Sequence, residues 1–151
     1  MLKLFLISYR LTRRFNQLPP PISWTIGKVA HFFDRFLCLF LGIDFHWSIK
    51  IGDNFRISHF VGIVVNENTV FGNNCWIRQN TTIGTNLITN KAPQFGDNVQ
   101  IGANVVVIGD IKIGNNVTIG AGAVVVKDVP DNAVVVGNPA RIVKFNEQIK
   151  V

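Results

Sequence analysis

The sequence predicts an all-β repeat fold, a triangular coil of short stacked strands, preceded by two α-helices. Three observations lead to this prediction. A large apolar residue recurs every six positions after residue 44, turns rich in glycine and asparagine lie between these residues, and the first 43 residues lack the repeat. We therefore expect a helical segment at 1–43, a repeat region at 44–144 and a tail at 145–151.

Two helices are predicted in the N-terminal segment, over residues 2–18 and 22–41. The prolines at 19–21 separate them, because no helix interior accepts such a run. The second helix has apolar residues at the three- and four-residue spacing that places them on one face, namely Ile22, Ile26, Val29, Phe33, Leu37, Phe40 and Leu41. We expect the two helices to cap one end of the coil, and the segment after Asp131 to cap the other.

The repeat has the period of a short strand, a corner and a second short strand. Its first position holds Ile51, Ile57, Ile63, Phe71, Ile77, Ile83, Phe95, Ile101, Val107, Ile113, Ile119 and Val125. Its fifth position holds Phe55, Val61, Cys75, Thr81, Val99, Val105, Ile111, Val117, Ala123 and Val129. Both positions are predicted to point inward. Three such units close a coil of about 18 residues, which predicts five to six coils stacked about 4.8 Å apart.

Turn chemistry and one interruption complete the pattern. Tripeptides such as Gly-Asn-Asn at 72–74 and Gly-Asp-Asn at 96–98 suit corners, because glycine and asparagine tolerate a left-handed backbone. Residues 85–94 lack this pattern and are predicted to loop out of the coil. Excursions from a rigid repeat are frequent places for binding groups.

Charge and composition exclude several classes of protein. The chain is 48% hydrophobic and 16% charged, unlike a disordered chain. Its net charge is +6, yet the repeat region is almost neutral and carries no aromatic-basic platform, so we do not expect nucleic-acid binding. The apolar runs are far shorter than a membrane span, and the first residues lack a cleavable export signal. Two cysteines without a disulfide framework favour the cytoplasm.

Four segments of the repeat region carry a family resemblance. They are DFHW at 44–47, ISHFVGIVVNE at 57–67, IRQNTTIG at 77–84 and GNPARIV at 137–143. With these segments the sequence resembles the hexapeptide-repeat acyltransferases, in the serine acetyltransferase-like branch that also includes polysaccharide and sugar O-acetyltransferases. The resemblance covers about residues 44–144. It implies a left-handed parallel β-helix, a homotrimer, and acyl-coenzyme A bound in grooves between subunits.

The resemblance also implies catalytic residues. His59 matches the general base that takes the proton of an acceptor hydroxyl, which suits an imidazole because its ordinary pKa lies near 6.5. Asp44 matches the acidic partner that would accept the imidazole Nδ1–H and fix its tautomer. Its place 15 residues before His59 permits contact between adjacent coils without requiring it. Without the resemblance, an exposed corner histidine would be the simpler interpretation.

The donor, acetyl-CoA, is expected along a series of matching positions. Backbone N–H groups at Gly84 and Thr85 match the place of the oxyanion beside the thioester. Ala103 and the pair Gly120 and Ala121 match corners against which the pantetheine arm runs, although small corner residues are common in any such coil. The basic residues Arg141 and Lys144 are candidates for pairing with the phosphates of the donor.

The acceptor is predicted from departures from the serine-specific members. There an aspartate precedes the base histidine and a second histidine stands in the excursion; here these positions hold Ser58 and Ala92, while Lys91 keeps a basic residue. Glu67 matches a recurring family acid. Because an amino acid zwitterion needs charged partners, these changes favour a sugar hydroxyl. Serine O-acetylation stays open as an alternative, and a non-catalytic scaffold as a second one.

Other chemistries are weighed against this interpretation. A metal site like that of the γ-carbonic anhydrases needs three histidine ligands, and the only histidines are His31, His46 and His59, the first in the helical segment, so no metal is expected. Cys38 and Cys75 fall at apolar positions unsuited to covalent catalysis. The cluster of Arg10, Arg13 and Arg14 beside apolar residues 4–7 suggests peripheral contact with the inner face of an anionic membrane, or simple packing on the trimer.

Overall fold

The computed structural model describes residues 2–21, 23–86, 88 and 90–146. The helical part comprises Leu2–Asn16 (α1), a π-helical turn at Ser23–Gly27 and Lys28–Leu41 (α2). The strands are Ile43–Phe45 (β1), Lys50–Ile51 (β2), Arg56–Ser58 (β3), Ile63–Val65 (β4), Val70–Phe71 (β5), Trp76–Arg78 (β6), Thr82–Gly84 (β7), Gln94–Phe95 (β8), Gln100–Ile101 (β9), Val106–Ile108 (β10), Lys112–Ile113 (β11), Thr118–Ile119 (β12), Val124–Val125 (β13), Ala133–Val136 (β14) and Arg141–Phe145 (β15).

The strands form the three faces of a triangular coil. Sheet A has the order β1-β4-β7-β10-β13, sheet B the order β2-β5-β8-β11, and sheet C the order β3-β6-β9-β12-β14-β15. Every pairing between successive coils is parallel, and only β14 and β15 pair in the antiparallel sense. The predicted β-helix is therefore confirmed, with about five coils.

Side chains of the repeat fill the interior as predicted. Eleven of the twelve first-position residues are buried, and Ile51 is half-buried. The rings of Phe55, Phe71 and Phe95 stack along the axis, with centroids 4.9 and 4.8 Å apart. One fifth-position prediction is wrong: Val61 is 67% exposed, because the first coil has two extra residues at this corner, and buried Ile63 takes the inward position that Thr81 holds in the next coil.

The N-terminal helices cap the first coil, as predicted. The ring of Phe5 in α1 meets those of Phe45 and Phe60 edge-on, and the Tyr9 hydroxyl donates a hydrogen bond to the Ile49 carbonyl. Of the two interpretations of residues 4–7, membrane contact or packing on the protein, Phe5 follows the second, because it is buried against the coil.

The second helix begins later than expected and faces the other way. Residues 23–27 form the π-helical turn, Ile22 lies outside the described residues, and Gly42 ends α2 in a left-handed conformation with φ of 67°. The apolar residues predicted to share a face do lie together, but most of them are exposed. The side chains that α2 buries are Asp34 and Cys38.

The three corners of the triangle differ in composition, and we name them by what they contain. The ladder edge joins sheet B to sheet C and holds the Gly-x-Asn turns. The site edge joins sheet C to sheet A and spans 59–62, 79–81, 102–105 and 120–123. The loop edge joins sheet A to sheet B and spans 46–49, 66–69, 85–93 and 109–111.

Within the described residues, no helix is long and apolar enough to cross a bilayer.

Candidate active site

The site edge begins at His59, whose backbone departs from the repeat. Its φ is +60°, and it is one of two left-handed residues at a corner that is two residues longer than that of the next coil. The other, Gly62, corresponds to the left-handed residues Asn80, Asn104 and Gly122 of the later coils, so His59 has no left-handed counterpart there. Residues other than glycine rarely adopt this backbone conformation, and those that do are concentrated at functional positions. The longer corner leaves the imidazole of His59 exposed.

A glycine closes the same corner. Gly62 has φ of +69°, and a Cβ there would stand 2.4 Å from Oδ1 of Asn80 in the next coil. The left-handed backbone favours glycine, and a Cβ would also displace the Asn80 side chain, which donates a hydrogen bond to Asn104. The first two coils therefore fit closely beside His59.

Small residues continue the site edge along the axis. Ala103 lies two coils beyond His59, and Gly120 and Ala121 lie three coils beyond it. A Cβ at Gly102 would stand 2.6 Å from the backbone nitrogen of Ala121, so the corners are in close contact. The result is a shallow surface, bounded by small side chains, that runs about 14 Å from the histidine at the usual strand spacing.

The expected partner of His59 has another contact. Asp44 lies in the middle of β1 with its side chain outward, and its Oδ1 stands 3.0 Å from Nη1 of Arg35 in α2. Among the described residues, His59 forms no hydrogen bond or ion pair, so the predicted contact between the carboxylate and the imidazole is absent from this arrangement. The sequence had placed Arg35 only in a helix.

Asp44 instead borders a pocket that reaches the loop edge. The pocket is an open cavity of about 450 Å³ on sheet A, lined by Asp44, His46, Asn66, Glu67 and the end of β7 at Gly84 and Thr85, together with Val64, Val65, Thr82 and Ile83. Gly84 has free space where a side chain would project. Three groups predicted from the sequence therefore lie together in this pocket: the Asp44 carboxylate, Glu67 and the Gly84–Thr85 backbone.

His46, in the DFHW segment at 44–47, also lines this pocket, and the family resemblance gives it no role. Its Nδ1 lies 2.7 Å from the Ser48 hydroxyl and 3.7 Å from Oε2 of Glu67. Its ring also meets that of His31 in α2, with centroids 5.9 Å apart. Burial and the nearby His46 lower the pKa of His31. The alternation of side chains along a strand puts His46 on the same outward side as Asp44, and this could have indicated from the sequence that the two residues lie together.

Beside His59, the outer face of sheet C carries an aromatic group. The Trp76 indole donates a 2.8 Å hydrogen bond to the Ser58 hydroxyl, and the guanidinium of Arg78 lies 4.8 Å from the Trp76 ring. Ser58 pairs in register with Arg78, so Gln79 follows in the next coil where His59 follows in the first. Oε1 of Gln79 is buried and, within the described part of the chain, has no hydrogen-bond partner.

The remaining predicted residues lie at the loop edge and the C-terminal end. The ammonium of Lys91 forms an ion pair of 2.9 Å with Asp110, and Ala92 beside it is buried. The excursion runs between β7 and β8, and its residues Leu87 and Thr89 lie outside the described residues. Arg141 and Lys144 are exposed on β15; of the predicted tail, residues 147–151 are outside the described part.

Eight of the predicted residues fall on two corners of one chain, whereas Lys144 lines a cavity with Asn98 and Asn116 of the ladder edge. His59, Ala103, Gly120 and Ala121 line the site edge, whereas Glu67, Gly84, Thr85 and Lys91 belong to the loop edge or its border. Sheet A separates the two groups. One copy of the chain presents both groups but divides them between two edges.

Known proteins share this sequence pattern. The family described as bacterial transferase hexapeptide (six repeats) matches residues 92–127. A serine acetyltransferase of Staphylococcus aureus is 39% identical over 141 residues, covering 92% of this chain and 62% of that protein. WcaB of Escherichia coli K12, named for a proposed acetyltransferase role in colanic acid biosynthesis, is 47% identical over 104 residues, covering 68% of this chain and 64% of that protein.

Solved structures agree with the sequence matches. The serine acetyltransferase of Neisseria gonorrhoeae superimposes with a TM-score of 0.81 at 33% identity, over 95% of this chain and 54% of that one. The soybean serine acetyltransferase apoenzyme gives 0.80 at 32% identity, over 93% and 56%. The chain thus spans less than two thirds of the length of these relatives. It belongs to the hexapeptide-repeat acyltransferases, in the branch that contains the serine acetyltransferases.

Proposed function

We propose that this protein is an acetyl-CoA-dependent O-acetyltransferase that acetylates a sugar hydroxyl during biosynthesis of a surface polysaccharide. Family membership supports acyl transfer, and the similarity to WcaB supports this class of acceptor. The observation that carries the proposal is the left-handed, exposed His59 at the head of an edge of small residues. Such a backbone position is retained where the side chain has a task.

His59 acts as the general base of a direct transfer. The imidazole takes the proton of the acceptor hydroxyl while the hydroxyl oxygen bonds to the carbonyl carbon of the thioester. Backbone N–H groups at Gly84 and Thr85 stabilise the oxyanion of the tetrahedral intermediate. The carbon–sulfur bond then breaks, the imidazolium returns its proton to the leaving thiolate, and the products are the acetyl ester and coenzyme A.

Asp44 supports the base in this scheme by accepting the imidazole Nδ1–H, which fixes the tautomer and stabilises the imidazolium. Its carboxylate lies 3.0 Å from Arg35. The role therefore requires the carboxylate to exchange Arg35 for the imidazole when the substrates bind. Both side chains of the Arg35–Asp44 pair are at least half exposed, so this exchange costs little.

The donor lies along the site edge. Ala103, Gly120 and Ala121 leave room for the pantetheine arm, while Arg141, which pairs with Val136 at the site-edge end of β14, binds the phosphates further along the axis. Lys144 lies toward the ladder edge and is not on this path. The edges that carry the base and the oxyanion donors are separate on one chain, which supports a homotrimer in which neighbouring copies share each cleft. Acetyl-CoA is a substrate in this scheme, and no resident cofactor is needed.

The surroundings of His59 support a neutral acceptor. Ser58 stands where the serine-specific members carry an aspartate, and its hydroxyl accepts a hydrogen bond from Trp76. Lys91 is paired with Asp110, so its charge is already balanced. Glu67 is the remaining acid beside the pocket, and it suits a hydrogen bond to a sugar hydroxyl.

The substitution His59→Asn tests the base. Asparagine tolerates the left-handed corner, as Asn80 and Asn104 do in other coils, so the fold is kept while the base is removed. We expect thiol release from acetyl-CoA with a sugar acceptor to fall by about a hundredfold or more, with acetyl-CoA affinity changed less than about threefold. Equal rates in His59→Asn and wild type would refute the role of His59.

Serine O-acetylation is the second candidate, because the relatives that match most of the chain are serine acetyltransferases. The same thiol assay, run with L-serine and with free and nucleotide-linked sugars, separates the two. Efficient acetylation of serine with no activity on sugars would replace the sugar proposal. If none of these acceptors causes thiol release, and the protein also fails to bind acetyl-CoA, a non-catalytic scaffold would be supported.

A further inference from the structure

The outer face of sheet C carries a cavity that the proposed acetyl transfer does not use. It is an open cavity of about 980 Å³, and we call it the sheet C groove. Gln100 of β9 and Thr118 of β12 line it from sheet C, ladder-edge residues such as Asn98 and Asn116 line it from the side, and Phe145 lines it from the end of β15. A cavity of this volume suits a ligand larger than a single sugar ring.

Two polar side chains of the groove are free to bind a ligand. Gln100 is exposed and Thr118 is half-buried, and neither side chain forms a hydrogen bond within the part of the chain that the structure describes. The two residues pair in register on neighbouring strands, about 4.8 Å apart. The amide of glutamine and the hydroxyl of threonine each donate and accept, so together they offer several hydrogen bonds.

An aromatic ring stands beside these polar groups. Phe145 is 58% exposed. The next residue fixes the strand end to the ladder edge, because the Asn146 side chain donates a 3.0 Å hydrogen bond to the Asn116 carbonyl. A sugar ring has hydroxyl groups around its edge and C–H groups on its faces, so it matches amide and hydroxyl side chains beside an exposed aromatic ring. The lining of the groove therefore has the chemistry that binds carbohydrate.

The charge of the groove favours a neutral ligand. Among the described residues that line it, Asp131 and Lys144 carry charge, and their charges cancel. Asp131 already accepts hydrogen bonds from the backbone and the side chain of Asn115. A nucleotide or another phosphate ligand needs an excess of positive charge, which these residues do not supply. A neutral glycan is therefore favoured over the nucleotide part of coenzyme A.

A row of outward side chains connects the groove with His59. The Trp76 indole donates a hydrogen bond to Ser58, the residue before His59, and Trp76 pairs in register with Gln100. Gln100 lies two strands beyond β3 in sheet C, which is about 10 Å along the axis. A single sugar that reacts at His59 does not reach the groove, whereas a chain of sugars does.

We propose that the sheet C groove binds a neutral oligosaccharide segment of the acceptor, so that the substrate is a glycan chain and not a single sugar. Gln100 and Thr118 hydrogen-bond to hydroxyl groups of the chain, and the Phe145 ring packs on the face of one sugar. The inference rests on the proposed function for the place of the reacting hydroxyl at His59, but binding in the groove needs no acetyl transfer. The ladder edge beside the groove takes no part in the cleft that the proposed homotrimer shares.

The length of the acceptor tests this proposal. Thiol release from acetyl-CoA is measured with glucose, galactose, mannose and N-acetylglucosamine, each as the monosaccharide and as oligosaccharides of up to six residues. In at least one of these series, we expect kcat/KM to rise about tenfold or more from the monosaccharide to the tetrasaccharide. The change should lie in KM and not in kcat, because the groove is remote from the reacting atoms.

A triple variant removes the binding groups of the groove. Gln100→Leu, Thr118→Val and Phe145→Ser together should abolish the rise in kcat/KM with length, while the rate with the monosaccharide changes less than about twofold. The retained monosaccharide rate also shows that the variant is folded. Lys112→Leu is the matched control, since Lys112 is exposed on β11 of sheet B, and it should keep the dependence on length.

Binding without transfer separates this proposal from the proposed function. Calorimetric titration of the hexasaccharides into His59→Asn protein should show binding that the triple substitution removes. If such binding occurs but no sugar is acetylated, the proposed function fails and the groove is still a glycan site. If sugars are acetylated with the same kcat/KM at every length, if no hexasaccharide binds, or if binding survives the triple substitution, the groove proposal is overturned.

Discussion

Two extra residues set the corner of the candidate base apart from the repeat around it. The sequence pattern has an eight-residue step between the first positions Ile63 and Phe71, but in the structure the extra residues lie before Ile63, and Val65 pairs with the first-position residue Ile83. The sequence could not reveal this, because Ile63 and Val65 are both aliphatic and either one suits the interior by hydrophobicity alone.

Electrostatic partners were also beyond the sequence. Asp44 was identified by resemblance, but its contact with Arg35 depends on how α2 packs against β1. His46 was overlooked for a similar reason, since its neighbours Glu67 and His31 come from different elements. Residue types at a site follow from sequence, whereas the pairs they form follow from packing.

Asp34 gives a residue-scale prediction about pH. Burial raises the pKa of its carboxyl to about 6, above the ordinary 3.8, so the folded state prefers the protonated form. Its contribution to stability is complete below about pH 4 and is lost as the pH rises through 6. We expect Asp34→Asn to be more stable than the wild type at pH 8, by up to about 3 kcal/mol, and nearly equal at pH 4.

Urea denaturation of both proteins across this pH range measures the difference. Asp53→Asn, which changes an exposed carboxylate on the ladder edge, is the control and should follow the wild type. A constant difference between Asp34→Asn and the wild type at all pH values would mean that the carboxyl does not titrate in this range.

Among the elements, the ladder edge is the part that the sequence predicted best. Its asparagines are left-handed and hydrogen-bond to one another from coil to coil: Asn54, Asn74, Asn98, Asn116 and Asn132. The turn tripeptides identified these corners directly, because few residues other than glycine and asparagine accept that backbone. The helix α2 was predicted less well, since periodicity locates an apolar face but not what it faces.

A pair of substitutions at Asn98 separates the two roles of a ladder residue. Its side chain bonds to Asn74 at 3.1 Å and to Asn116 at 3.0 Å, and its φ is +58°. Asn98→Gly removes only the side-chain bonds, whereas Asn98→Ala also forces a left-handed backbone on a residue with a Cβ. We expect Asn98→Ala to be less stable than Asn98→Gly by about 1 kcal/mol.

Thermal and urea unfolding of the two variants provides this comparison. Equal stability of Asn98→Gly and Asn98→Ala would show that the corner relaxes to another backbone conformation. Equal stability of Asn98→Gly and the wild type would show that the ladder hydrogen bonds contribute nothing measurable.

At the scale of the whole molecule, the six-residue period and the turn residues were enough to predict the β-helix, but they do not predict how copies of the chain assemble. Twelve first positions identified the faces, whereas nothing in the sequence pattern assigns which edge meets which in an oligomer. The family resemblance supplied the proposed trimer. The separation of His59 from Gly84 on one chain gives that proposal a test.

Mixed oligomers test whether each cleft is shared. His59→Ala disables the site edge, and Gly84→Leu fills the pocket at the border of the loop edge, where a side chain has free space. Each variant alone should be inactive in thiol release. In a ring of three, a mixture leaves one cleft with both edges intact, so purified mixed trimers should regain about a third of wild-type activity.

Differently tagged chains, co-expressed and purified through both tags, provide the mixed species. The control is a trimer in which both tagged chains carry the same substitution. It is purified in the same way and should stay inactive. Failure of verified mixed trimers to recover activity would place each complete site within one chain.

The glycines of the ladder edge have one further consequence. A Cβ at Gly52 or Gly72 would stand 2.6 Å or less from the backbone or side chain of the next turn, so each corner rests directly on its successor. During evolution, a β-helix of this kind can therefore gain or lose length only by complete coils. The reach available to a long donor molecule would then grow in increments of about 4.8 Å and not continuously.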